Sequence, residues 1–187
     1  MTAERIPIDH FLSMRAKSWP EAATPIVGLM VRIFRLNSLM LEQTTRLVAA
    51  HALSFTEFEV LVTLRGQPSP HQLLPTDLYG AILISSGGLT KVLHALEARG
   101  LIARALDKDD RRSKPVRLTA KGRAVAERAM RDVLEADEAL INGALSSSDV
   151  AALTRLLGRL LQTIESDHAP AEHAPTGASQ RRHRRSE

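Results

Sequence analysis

Cysteine is absent from this 187-residue chain, which excludes disulfides, thiolate zinc sites and thiol-based sensing of oxidants. Aromatic side chains are scarce, at 3%. That counts against a sandwich of aromatic and branched strand formers, and the recurrent Leu and Ala favour helices. The chain reads as mainly α, with one domain as the default for its length and 44% hydrophobic share. Long greasy runs are also lacking, since the stretch from Ile26 to Leu41 is broken by Arg32, Arg35 and Asn37. Residues 1–10 hold Arg5, Pro7 and Asp9 and no apolar signal core, so a cytoplasmic location is expected. No Gly-rich phosphate loop, His-Glu-x-x-His or Gly-x-Ser-x-Gly is present, and no enzyme is expected. His10, His51, His71, His94, His168, His173 and His183 never fall at i, i+4, so neither a metal nor any other cofactor is expected.

The formal charge is +4 and the pI about 9.9. Arg181, Arg182, Arg184 and Arg185 against Glu172 and Glu187 supply +2 of that, leaving a mildly basic body. Any case for nucleic acid must rest on where the cations sit.

Along the chain, Phe11, Leu12, Arg15 and Trp19 fall at helical spacing before Pro20, predicting a short helix over residues 8–19. Ile26, Leu29, Met30, Ile33, Leu36, Met40, Leu47 and Val48 keep the 3.6-residue period over a long helix. After a break at His51-Ala52-Leu53, Ser54 and Glu57 form a capping box for a third helix with Phe55, Phe58, Leu61, Val62 and Leu64 on its apolar face. Residues 66–73 read as a loop. Pro75 opens a helix running to about Ala81, and Ser85 is an N-cap for another that ends at Gly100. Residues 101–104 and 115–118 read as strands of a hairpin around the charged run Asp107 to Lys114. Thr119 caps a long helix ended by Gly143. Ser146 with Asp149 caps a last helix striped by Val150, Leu153, Leu157, Leu160, Leu161 and Ile164. Beyond Asp167 the composition predicts a disordered tail.

The helix of residues 85–99 turns Leu89, Val92, Leu93 and Leu96 to one side and Ser86, Thr90, Lys91 and His94 to the other. Small polar and cationic residues near a helix N-terminus suit a major groove about 12 Å wide. A plain amphipathic surface helix would show the same face. The following hairpin tips the balance, because Lys108, Arg111, Arg112 and Lys114 at its tip suit the negative potential of a minor groove, although a charge run in isolation is more often a solvated turn. Two short helices and a basic hairpin in this order give a winged helix-turn-helix.

Asp107-Lys108-Asp109-Asp110-Arg111-Arg112, Leu118-Thr119-Ala120-Lys121-Gly122 and Leu96-Glu97-Ala98-Arg99-Gly100-Leu101-Ile102 resemble the wing, the helix after it and the recognition-helix ending of the MarR (multiple antibiotic resistance regulator) family. The resemblance spans about residues 25–165. It implies a ligand-responsive, double-stranded DNA-binding repressor that meets a pseudo-palindromic operator as a homodimer. By it, Ser85, Ser86, Thr90, Lys91 and His94 face the major groove, Arg112 enters the minor groove and Asp110 orients it, with Lys108, Arg111 and Lys114 beside them. Leu74 departs from the family's threonine cap, so the first helix of the motif is expected to start less crisply. The family dimerises through helices at both chain ends. That implies an extension over residues 1–24, a dimerisation helix over 25–53, the winged motif over 54–118, C-terminal dimerisation helices over 119–167 and a disordered basic tail over 168–187.

Trp19 and Ser85-Ser86-Gly87-Gly88-Leu89-Thr90-Lys91 are similar to the family's urate-responsive subgroup. That likeness carries an effector site onto Trp19, Glu59, Lys91 and Arg104. Glu59 replaces the usual aspartate and Lys91 the usual arginine, which weighs against urate and leaves a small aromatic or anionic effector, because lysine lacks the planar fork. For Trp19 the readier role is packing, as a core aromatic pinning the extra helix. The rival to the whole reading is a helical protein-interaction module without specific DNA binding, in which the basic hairpin is only surface.

Overall fold

The computed structural model describes residues 5–82, 86–104 and 115–168. It forms two compact units, residues 1–137 and 138–187. The first holds α1 (Ile8–Ser18), a single 3-10 turn (Pro20–Ala22), α2 (Pro25–Ala49), α3 (Phe55–Arg65), α4 (Pro75–Ala81), α5 (Ser86–Ala98), three short strands and most of α6 (Ala120–Ala144). The second holds the end of α6 and α7 (Ser147–His168).

Local chemistry sets most of these boundaries. Thr24 Oγ1 accepts from the Val27 amide at 3.2 Å to start α2, with Pro25 in the first turn, where its missing N–H is no loss. The predicted capping box of α3 is formed: Ser54 Oγ accepts from the Glu57 amide, and the Glu57 carboxylate accepts from the Ser54 amide at 2.8 Å. The Ser146–Asp149 box does the same for α7, and the Asp149 carboxyl, accepting first from the Ser146 hydroxyl and then from the Ser146 amide, is held below its ordinary pKa. Thr119 Oγ1 takes the Gly122 amide at the start of α6. Gly143 does not stop that helix, which runs on to Ala144; in ordinary helical geometry a glycine lowers propensity without breaking the chain.

The core lies in the first unit. Val48, Val60, Leu61, Leu64, Leu78, Leu96, Leu101 and Val116 are its fully buried larger side chains. Helix α3 passes through the middle, against α2, α4, α5 and a strand. Val60, which lies off the predicted apolar face, is buried for that reason: the helix is covered on more than one side.

The sheet differs from the expected two-stranded hairpin. β2 (Ile102–Arg104) and β3 (Val116–Leu118) pair antiparallel as predicted, but the end of the predicted loop supplies a further strand, β1 (Gln72–Leu73). The order is β1-β3-β2, with Gln72 opposite Arg117 and Leu73 opposite Val116. The added segment satisfies the second edge of β3, and the His71 carbonyl takes the Leu118 amide at 3.0 Å.

Helix α1 is tied to α2 by Asp9 on Arg32, and the residues before it by Arg5 on Glu42 at 2.8 Å and by Arg35 donating to the Ile6 carbonyl. Of the predicted α2 stripe only Val48 is buried. Ile26, Leu29, Met30 and Leu36 are exposed, as is Phe34 beside them. The α7 stripe is exposed from Leu153 to Ile164.

Candidate nucleic-acid interface

Helix α4 begins at Leu74-Pro75 without a side-chain cap, as the leucine in that place predicts. It buries Leu78 and presents Thr76, Asp77 and Tyr79 outward. In α5, Leu89, Leu93 and Leu96 are buried and Val92 is half-buried, while Thr90, Lys91 and His94 are exposed. The 3.6-residue period thus divides α5 into a face that holds it to the core and a face offered to solvent. Ser85 and the side chain of Ser86 lie outside the described residues. The helix ends where Gly100 takes a φ of +67°, letting the Leu101 amide reach back to the Leu96 carbonyl at 2.9 Å.

Two arginines fix α5 to its surroundings. Arg99 donates to the Glu57 carboxylate at 3.0 Å and to the Ala52 carbonyl at 2.8 Å, tying the end of α5 to the turn between α2 and α3. His51 in that turn meets Asp132 of α6 at 2.7 Å. Arg104, in the last position of β2, donates to Glu97 of α5 at 3.3 Å, so the base of the hairpin is linked to the helix beside it. Sequence reasoning missed the role of Arg99; its only signal was a cation in the last turn before the terminating glycine. Lys108, Asp110, Arg111, Arg112 and Lys114 lie outside the described residues.

The four proposed effector residues are not brought together by bonds: no hydrogen bond or ion pair joins any two of them. Trp19 stands at the end of α1 with 61% of its surface exposed, so in one copy it does not pin the helix as a core aromatic. Trp19 is the C-cap of α1, its amide donating to the Arg15 carbonyl. Glu59 is half-buried on α3, and loss of hydration pushes its carboxyl above the ordinary value. Lys91 is exposed, and Arg104 is engaged by Glu97. Among the described residues no cluster of three His, Asp or Glu could hold a metal, and no helix is long and apolar enough to cross a membrane.

A short helix, a second helix with its polar face outward and a strand pair clamped beside it define a winged helix-turn-helix, the reading head of a DNA-binding transcriptional regulator. Residues 53–114 match the model of the MarR family. The chain is similar to that family over this third of its length. It is 29% identical to the HTH-type transcriptional regulator PecS of Dickeya dadantii over 72% of this chain and 79% of PecS. It is 27% identical to the transcriptional repressor MprA of Escherichia coli K12 over 88% of this chain and 93% of MprA. Among solved structures, Sco3205 of Streptomyces coelicolor, a MarR family regulator in complex with DNA, superposes with a TM-score of 0.67 at 21% identity, covering 82% of this chain and 94% of that one.

Proposed function

We propose that the chain is a cytoplasmic, ligand-responsive repressor, not an enzyme, that binds a pseudo-palindromic operator as a homodimer. The exposed row Thr90, Lys91 and His94, opposite the buried leucines of α5, carries this reading. Ser85, Ser86, Thr90, Lys91 and His94 then read the major groove, while Lys108, Arg111, Arg112 and Lys114, with Asp110 orienting Arg112, reach the backbone and minor groove. The division of labour follows the sequence: reading head over residues 54–118, self-association by the helices of 25–53 and 119–167. Exposed apolar faces on α2 and on α7 each support a second copy as partner. Repression is supported by the name of MprA, and duplex DNA by the Sco3205 complex.

Footprinting on the intergenic DNA beside the gene tests this. The expected result is a protected site with half-sites about one helical turn apart. Replacing a hairpin cation such as Arg112 by alanine should lower the salt slope of binding by about 1. Absence of any protected or retarded fragment would favour the alternative, a helical interaction module without specific DNA binding.

A further inference from the structure

Glu97 stands where two electrostatic effects oppose it. It occupies the last turn of α5, whose carbonyl end is the negative pole of the helix. It also follows His94 by three residues, so the two are neighbours on the helix surface, beside the row that faces the groove. A lone carboxylate in that place would cost stability and repel phosphates. Arg104 offsets it, the guanidinium Nε donating to Glu97 Oε2 at 3.3 Å. Arg99, nearer in sequence, is taken by Glu57 instead. The strand dictates where Arg104 reaches. Alternation along β2 puts it on the face of Ile102, which is buried, and buried Val116 lies directly opposite. Its stem is thus held on the core side of the sheet while its head meets α5. Beyond Arg104 the sequence runs through Lys108, Arg111, Arg112 and Lys114 before β3 begins at Val116. The pair therefore bridges the turn at Gly100, joining the helix of Thr90, Lys91 and His94 to the strand that leads into the hairpin cations.

We propose that Glu97 and Arg104 are positioning residues for operator binding: their ion pair is a strut that sets the root of the hairpin against α5, so that helix and hairpin meet adjacent grooves together. Both side chains are about one-third exposed, so the strut adds little to the stability of the fold. Its effect is on geometry, because two linked contacts reinforce each other only when the link lets both form at once. The inference rests on the hairpin as a DNA contact and deepens that reading by naming what aims it. It also gives Arg104 a role within the chain, in place of the effector contact carried over by resemblance.

Anisotropy of the labelled intergenic fragment beside the gene, titrated with the full chain over a salt series, tests the strut. Charge alone predicts that Glu97→Gln tightens binding, since it removes an anion close to the phosphates. The strut predicts the opposite sign: affinity should fall about fivefold, the reach of one partly exposed pair, with a salt slope lower by about 1 for each hairpin cation withdrawn. Arg104→Gln should do the same. The exchanged pair, Glu97→Arg with Arg104→Glu, keeps the net charge and should return affinity to within about twofold of the wild type. The Tm of each variant should stay within about 4 °C of the wild type, which separates aim from folding. Two results overturn the strut: Glu97→Gln binding as tightly as the wild type or more so, or an exchanged pair that recovers nothing. Arg112→Ala on the same fragment judges the hairpin itself. An unchanged salt slope there rejects the hairpin as a DNA contact and the strut with it, whereas a lowered slope beside an unaffected Glu97→Gln rejects the strut alone.

Discussion

Gly122 is more tightly enclosed than Gly28, Gly66, Gly80, Gly100, Gly143 or Gly158. A Cβ built there would lie 1.9 Å from the Leu101 carbonyl oxygen, a backbone atom that cannot step aside without moving β2. Gly122→Ala is expected to destabilise by about 3 kcal/mol, the upper range for overpacking, seen as a lowered Tm. Gly143→Ala is the control: nothing lies within 4 Å of the added methyl, and removing a helical glycine should stabilise by about 0.5 kcal/mol. Two glutamates should titrate with opposite signs. The carboxyl of Glu59 is raised in the folded chain by burial, so it favours folding below its unfolded pKa of about 4.3 and opposes it as pH rises through the folded value. Glu59→Gln should therefore raise Tm at pH 7, with the gain fading towards pH 4. The carboxyl of Glu127 is lowered, first by the hydrogen bond from Arg65, so its contribution is present above the unfolded pKa and is lost as pH falls through the folded one. Glu127→Gln should lower Tm at neutral pH and converge with the wild type in acid.

Helix α5 depends for its aim on a residue that need not touch DNA. Arg99→Ala would leave Glu57, whose side chain is only 13% exposed, without its cation, and would free the Ala52 carbonyl. A loss of about 1–2 kcal/mol in stability is expected from a partly exposed charged hydrogen bond. Operator affinity should fall with the salt slope unchanged, unlike the loss on replacing a phosphate-binding cation; fluorescence anisotropy across a salt series separates the two. This tie was hidden in the sequence because Arg99 and Glu57 are far apart in the chain and carry no shared period. The caps at Ser54 and Ser146 were legible for the opposite reason: each joins two residues at a fixed spacing of three. The polar face of α5 was legible from the 3.6-residue repeat. β1 was not, because two residues show no alternation, and their strand character comes only from the edge of β3. Val60 was missed because periodicity reports one buried side, and α3 has more than one. The wing cations were read from a motif, and their positions lie outside the described residues.

One chain leaves too much apolar surface in water to be its own final state. Phe34 on α2 is 66% exposed and Ile26 69%, in a helix about 37 Å long. Phe34→Glu should shift sedimentation towards the mass of a single chain, and operator affinity should fall with it, because two half-sites would then be met independently. β3 is the shared rail: it carries the base of the wing on one side and, through Gln72 and Leu73, the segment leading into α4 on the other. A tug on the hairpin is thereby passed to the first helix of the motif as well as to the second. In deuterium-exchange measurements the amides of these three strands should lose protection together, as one cooperative patch.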